Sequence, residues 1–411
     1  MLRVSIGEAR AGMVLARGIP HPTSPRAMLL RDGARLETST VDRLRAMKVR
    51  EVWVRYPGLE DLAQYVNPEF ESACRELTAD LSASFDAVMA QTDVELDFGA
   101  YRRAVGGMLE RVLENPKAAM LMGEMQGANE LGRHGSAVCA LSVLMGLQLD
   151  SYIVRERSRL SSAVAKDLSP LGVGAMFHDL GMTRLAPEVL ARWEATGDET
   201  DEAWREHVPL GFAMVKDRLE PAAAGVVLHH HQRFDGKGFP CLPHLGGSCV
   251  SPRGSGVHVF ARITAAADVF DRARYRGGRV EPAVRALRRV REATLGGAID
   301  PVVFAALLGA APAYGPGMLV TLSDGRRAAV VGRTPGRPCR PVVRVVDPYG
   351  VAGRAGEEID LSRVEGLSIE SVGGERVAED NFEPAYEGEF DLLAAHRRMG
   401  LASTPMEEKA A

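Results

Sequence analysis

The run Val226-Val227-Leu228-His229-His230-His231-Gln232-Arg233-Phe234-Asp235-Gly236-Lys237-Gly238-Phe239-Pro240 decides how this chain is read. Three adjacent histidines follow an apolar, internal stretch, where unpaired imidazoles would be costly to bury. A helix turns successive residues about 100° apart, so two of them can face one cation while the third points away. An exposed, tag-like cluster is the other reading. Upstream lies His178-Asp179, and His134 and His207 fall between apolar helical segments. With His230 and His231 counted from the run, five of the ten histidines sit in this layout. Neutral imidazole is the commonest protein ligand for a transition metal, and a carboxylate can bridge two cations. The pattern points to a buried metal site assembled from several helices.

Two carboxylates extend the set. Asp268 follows Ala265-Ala266-Ala267 on a core-like helix, where it needs a cation or a donor. An N-cap or surface aspartate is the alternative. Glu130 precedes His134 by four residues and shares its helical face, a spacing that also suits a surface contact.

Working outward, residues 68–310 are nearly all helical in periodicity. Ser169-Pro170 marks a helix start, with a helix running through Val173 and Phe177 to carry His178 and Asp179 in its last turn and Gly181 at its end. Trp204, Val208, Phe212 and Val215 predict one further helix carrying His207. Residues 241–256 are rich in Gly, Ser and Pro and read as a loop. Residues 1–66 form a small α+β module, with strands at Met13–Leu15, Met28–Leu30 and Glu51–Val54 and an Asp32-Gly33 hairpin signal. Residues 313–370 form a small β module with a hairpin at Asp324-Gly325 and a third strand at Val342–Val346. Residues 371–411 are expected to be a helical or disordered tail. The fold class is mainly α, a helical metallohydrolase-like core with two small accessory modules.

Composition bounds the function. A net charge of −4 gives no overall attraction to nucleic-acid polymers or acidic membranes. Arg285, Arg288 and Arg289 share a helical face and read as a solvated surface. No apolar leader core and no window of about 18 uninterrupted apolar residues is present, so a cytoplasmic protein is expected. The five cysteines are scattered and odd in number, which suggests reduced structural thiols. A loop metal site at Cys241, His244 and Cys249 is disfavoured by its irregular spacing.

His178-Asp179-Leu180-Gly181, His230-His231 and Asp235-Gly236-Lys237-Gly238-Phe239-Pro240 together resemble the HD-GYP family of cyclic di-GMP phosphodiesterases, over roughly residues 125–285. The resemblance implies that His134, His178, Asp179 and Asp268 bind one metal, and that Asp179 bridges to a second held by His207, His230 and His231. It implies a third-metal role for Glu130, two or three iron or manganese ions, and metal-assisted hydrolysis of cyclic di-GMP to pGpG or GMP. His178 and Asp179 would be central to the chemistry, with Arg184, Lys237, Arg274 and Arg276 as substrate-binding candidates.

The chain departs from the family pattern at four places, one of them a shortened Arg-Pro-Tyr segment after the last metal-binding aspartate, for which Arg274, Tyr275 and Arg276 are the nearest equivalents. Met182 stands where a phosphate-holding lysine is expected, Gln232 replaces a glutamate, and Phe239 replaces the tyrosine of Gly-Tyr-Pro. Two further readings therefore stand beside the phosphodiesterase: a metal-bound sensor or protein-interaction module with impaired turnover, and another phosphohydrolase of the His-Asp superfamily. The N-terminal module could dock a signalling partner, and exposed helix faces could support a homodimer.

Overall fold

The computed structural model describes residues 1–21, 24–91, 94–118, 120, 129–243, 249–276, 279–347, 356–392 and 394. The N-terminal unit contains β1 (Leu2–Ser5), β2 (Ile19–His21), β3 (Ser24–Leu30), α1 (Thr38–Ala46) and β4 (Glu51–Val54). β1 pairs antiparallel with β4, and β2 with β3. Two expectations are corrected here. Met13–Leu15 is not a strand; Val14 and Leu15 make only isolated bridges, to Arg35 and Val54. Asp32-Gly33 turns the chain, but β3 pairs backwards with β2, so no hairpin forms there.

The helical unit contains α2 (Pro68–Ala90), α3 (Phe98–Glu114), α4 (Glu130–Gln148), α5 (Asp150–Glu156), α6 (Ser162–Ala165) and α7 (Ser169–Met176). It continues with α8 (Pro187–Thr196), α9 (Glu202–Arg205), α10 (His207–Val215), α11 (Pro221–His229), α12 (Val259–Arg274), α13 (Ala283–Leu295) and α14 (Pro301–Ala310). Two short ladders interrupt it, β5 (Leu242–Pro243) with β6 (Cys249–Val250) and β7 (Tyr275–Arg276) with β8 (Arg279–Val280). α4 and α7 are the centre. Every residue from Gly132 to Gly146 and from Pro170 to Met176 is buried. A helix that is apolar all round belongs inside a core, and α4 packs against α2, α7, α12 and α14. Asn129 caps α4 by accepting from Gly132 N, and Pro170 opens α7. A β-carbon built on Gly135 would lie 2.4 Å from the Met176 carbonyl oxygen, so glycine there lets α4 close onto the end of α7.

The C-terminal unit is a six-stranded antiparallel sheet of β9 (Leu319–Leu322), β10 (Arg327–Gly332), β11 (Val342–Val345), β12 (Glu358–Asp360), β13 (Ile369–Val372) and β14 (Glu375–Arg376), ordered β12-β11-β10-β9-β13-β14. The Asp324-Gly325 hairpin joins β9 to β10 as the sequence predicts. The sheet continues past residue 370, where β13 runs to Val372 and a turn at Gly373-Gly374 leads into β14, so this stretch is a strand hairpin rather than tail. Phe382 and Phe390 are buried beyond it. The arginines of α13 hold this segment. Arg285 pairs with Asp380, and Arg291 with Glu389, whose side chain is 5% exposed. The Arg285 cluster is therefore a clamp and not simply a solvated surface.

β9 and β10 are buried on both faces. Val320, Leu322, Ala328 and Val330 join the helical core, while Leu319, Ala329 and Val331 join the core of the N-terminal unit with Leu2, Val4 and Leu15. The alternation follows from the two-residue period of a strand. Among the described residues no single helix is long and apolar enough to cross a membrane. Cys74, Cys139 and Cys339 are free and buried, whereas Cys241 is disulfide-bonded, which corrects the all-reduced expectation. His244 and the Cys249 side chain lie outside the described residues.

Candidate metal centre

The ligand side chains arrive from the end of α7 and from four elements around it, α4, α10, α11 and α12. α4 carries His134 and α12 carries Asp268. α7 ends at Met176, one turn earlier than the sequence suggests, and His178 and Asp179 follow in the turn before a 3-10 segment, Leu180–Arg184. The expected single helix around His207 is broken into α9 and α10, and His207 is the first residue of α10. α11 ends at His229, and His230 caps it, with His231 next. Gly181 makes the convergence geometrically possible. A β-carbon there would lie 1.8 Å from the His207 carbonyl oxygen and 2.5 Å from Gly211 N, so only glycine lets α10 approach Asp179.

Two groups of ligand atoms result, Asp179 with His207, His230 and His231, and His134 with His178 and Asp268. Asp179 links them. Its Oδ1 lies 3.5 Å from His207 Nε2 and 3.6 Å from His230 Nε2. Its Oδ2 lies 3.5 Å from His178 Nε2 and 3.6 Å from His134 Nε2. Ligand atoms sharing one metal at bonds near 2.1 Å lie about 3–3.5 Å apart, so these separations suit cations on either side of one bridging carboxylate.

Backbone carbonyls set the tautomers. Nδ1 of His178, His207 and His230 lies 2.7, 2.7 and 2.9 Å from the carbonyls of Ala175, Trp204 and Val227. A carbonyl only accepts, so each Nδ1 carries the proton and each Nε2 turns a lone pair inward. His207 and His230 then face each other Nε2 to Nε2 at 3.4 Å, two acceptors with no proton to share. His178 Nε2, His231 Nε2 and Asp179 Oδ1 are buried and make no hydrogen bond. Buried polar atoms are normally satisfied. Inward-facing lone pairs on imidazole and carboxylate are what a divalent cation satisfies, so the residues fit a metal pair.

Electrostatics agree with that fit. Burial pushes His207 down to about 4 and lowers His230 and His231, so these imidazoles are neutral ligands at neutral pH. His134 differs. Burial and the Arg272 charge push it down, but Asp268, 2.9 Å from Nε2, and Asp271, 2.6 Å from Nδ1, outweigh them and raise it to about 9. Burial alone would raise Asp179 and Asp268; Arg272, aided by the histidines, holds both well below the usual carboxylate range.

The remaining candidates lie elsewhere. Glu130 does not join the ligands. Its carboxylate pairs with Arg133 and its side chain is 71% exposed. Arg184 donates to the Val88 carbonyl and lines a cavity of about 430 Å³ with Leu96, Phe98 and Arg218. Lys237 is exposed, and Arg274 donates to the Glu281 carbonyl. The Arg276 side chain lies outside the described residues. Of the divergent positions, Met182 is buried, Gln232 donates to the Pro240 carbonyl at 2.5 Å, and Phe239 stacks on His231 with centroids 4.6 Å apart.

Two residues escape the motif reading. Asp271 receives a bidentate pair from Arg133 and the Nδ1 contact of His134, the outer-shell position that orients a ligand imidazole. Arg272 touches both Asp179 and Asp268. Their signal was available: three and four residues after Asp268 is the same helical face.

Comparison with known proteins follows the same lines. Residues 134–273 match the model of the HD domain family. A cyclic di-GMP phosphodiesterase of Pseudomonas aeruginosa is 26% identical over 366 residues, covering 80% of this chain and 81% of that protein. The response regulator RpfG, a cyclic di-GMP phosphodiesterase of Xanthomonas campestris pv. campestris, is 27% identical over 122 residues, 29% of each chain. The histidine and aspartate positions that the domain match spans are those the fold draws together, and residues 134–273 of this chain are thus similar to the HD domain family.

Proposed function

We propose that this protein hydrolyses cyclic di-GMP, or a closely related cyclic dinucleotide, to pGpG or GMP. The observation that carries the reading is the pair of buried ligand groups joined by Asp179. His134, His178, Asp179 and Asp268 would hold one divalent ion, iron or manganese, and Asp179, His207, His230 and His231 a second. When bound, such ions polarise a phosphoryl oxygen and activate water. The protein supplies neutral imidazoles with fixed tautomers, a bridging carboxylate, and apolar walls from Trp204 and Phe239, whose rings lie 5.1 and 4.6 Å from that of His231. Those walls keep bulk water from the ligands and strengthen charge interactions there.

The test is metal content of the purified chain, together with turnover of cyclic di-GMP under anaerobic conditions with iron or manganese added. Two metals with release of pGpG or GMP is the expected result. A metal-loaded protein inert under conditions where a family control is active would move the case to the second reading, a metal-bound module that senses or binds a partner. The buried Met182 and the hydroxyl-free Phe239 favour that reading.

A further inference from the structure

Arg272 lies one turn beyond Asp268 on α12, and its head closes the ligand cluster on the solvent side. Its Nε donates to Asp268 Oδ1 at 2.6 Å and its Nη2 to Asp179 Oδ2. Its side chain is 23% exposed, against 2% for Asp179 and 3% for Asp268. Among the described residues it is the only lysine or arginine within ion-pair distance of either carboxylate. Of the other cations considered for substrate, Arg184 and Arg274 are committed to backbone carbonyls elsewhere. Trp193 lies under the guanidinium at 5.3 Å, and Glu199 adds a favourable charge. These two neighbours keep the head at the mouth independently of the two aspartates.

Cations on Asp179 and Asp268 would neutralise the charge that now draws Arg272 inward. Its planar fork, still tethered over Trp193, then faces whatever anion approaches the ligand cluster. A guanidinium matches a phosphate by two parallel N–H···O bonds, which an ammonium cannot do.

We propose that Arg272 is a substrate-contacting residue that grips a non-bridging oxygen of the scissile phosphodiester. The proposal rests on the phosphodiesterase reading of the site. In the reaction the water oxygen bonds to phosphorus, the bond from phosphorus to the ribose 3′ oxygen breaks, and the proton from water ends on that oxygen. Arg272 carries part of the charge that gathers on the non-bridging oxygens meanwhile.

The experiment uses the full chain loaded with manganese, as wild type, Arg272→Ala, Arg272→Gln and Arg272→Lys. Three quantities are read: metal content, affinity for pGpG and for inorganic phosphate by calorimetry, and turnover of cyclic di-GMP. The alanine and glutamine variants should keep both metals, bind pGpG at least ~10-fold more weakly and turn over ~100-fold more slowly, with lysine in between. Wild-type pGpG affinity in the alanine or glutamine variant would overturn the proposal. So would loss of metal in both, since Arg272 would then serve only to hold the carboxylates. If the metal-loaded wild type shows no turnover while its pGpG and phosphate affinities still depend on Arg272, the phosphodiesterase reading fails and the phosphate contact stands.

Discussion

Asp179 places one carboxylate oxygen toward each half of the ligand set, so its loss should be felt by both. Asp179→Ala is expected to drop the metal-to-protein ratio from two toward zero by elemental analysis and to lower Tm. A variant that keeps its full metal complement would show that the carboxylate does not bridge. Asp271 acts one shell further out, on His134 Nδ1. Asp271→Asn should weaken metal binding by about 10-fold or more, the usual cost of losing an outer-shell partner, and unchanged affinity in a chelator competition would count against that role. The same residues make stability depend on pH in two directions. His207, pushed down to about 4 from 6.5, stays neutral when folded while the unfolded chain protonates, so stability falls as pH drops from 6.5 toward 4. His134, raised to about 9, keeps a proton that the unfolded chain releases; its contribution is complete below 6.5 and is lost as pH rises through 9. The metal-free protein should therefore show its highest Tm near pH 6.5. A Tm that climbs steadily from pH 5 to 9 would contradict this. Bound metal should flatten the alkaline side, because His134 Nε2 then binds a cation instead of a proton.

The 3-10 segment Leu180–Arg184 and α10 meet where no side chain fits. Gly181→Ala should push α10 outward, destabilise the chain by about 1–3 kcal/mol, and lower metal occupancy on the His207 side before the His134 side. Equal loss at both, read by stepwise metal titration, would mean that the helix contact is not what positions His207. The same element shows where sequence reading stops. The imidazoles were legible because residue type alone suggests their chemistry, and the apolar runs of α4, α7 and α11 are long enough to show their period. The break between α9 and α10 was not legible, because Trp204, Val208, Phe212 and Val215 keep helical spacing across it. Asp271 and Arg272 went unread, although their spacing of three and four residues from Asp268 places them on its helical face. Strands β12 to β14 are two to four residues long, too short for alternation to rise above chance.

At the scale of the molecule, the N-terminal unit and the C-terminal sheet share one hydrophobic core. Leu319, Ala329, Val331 and Val346 complete the core that begins with Leu2 and Val4, and Arg3 bridges to Met318. The sequence reading of residues 1–66 as a small α+β module does not reach this, because burial on the second face of β9 and β10 is invisible until their partner is known. Removing residues 1–66 should therefore expose an apolar sheet face, lower the Tm of the remainder and raise binding of a hydrophobic dye. A truncated chain that melts like the full one would show that the shared core is dispensable.

That shared core also constrains how the protein is made. The first 54 residues emerge from the ribosome long before β9 and β10, and at about 5–20 residues per second the wait is roughly 10–60 s. During it, Leu2, Val4, Leu15 and Val54 have no sheet to lie against. Nascent chains stalled before residue 319 should be cut readily by protease within residues 1–66, and protection should appear only once β10 has cleared the exit tunnel. Residues 1–54 are thus synthesised well before the strands that complete their core.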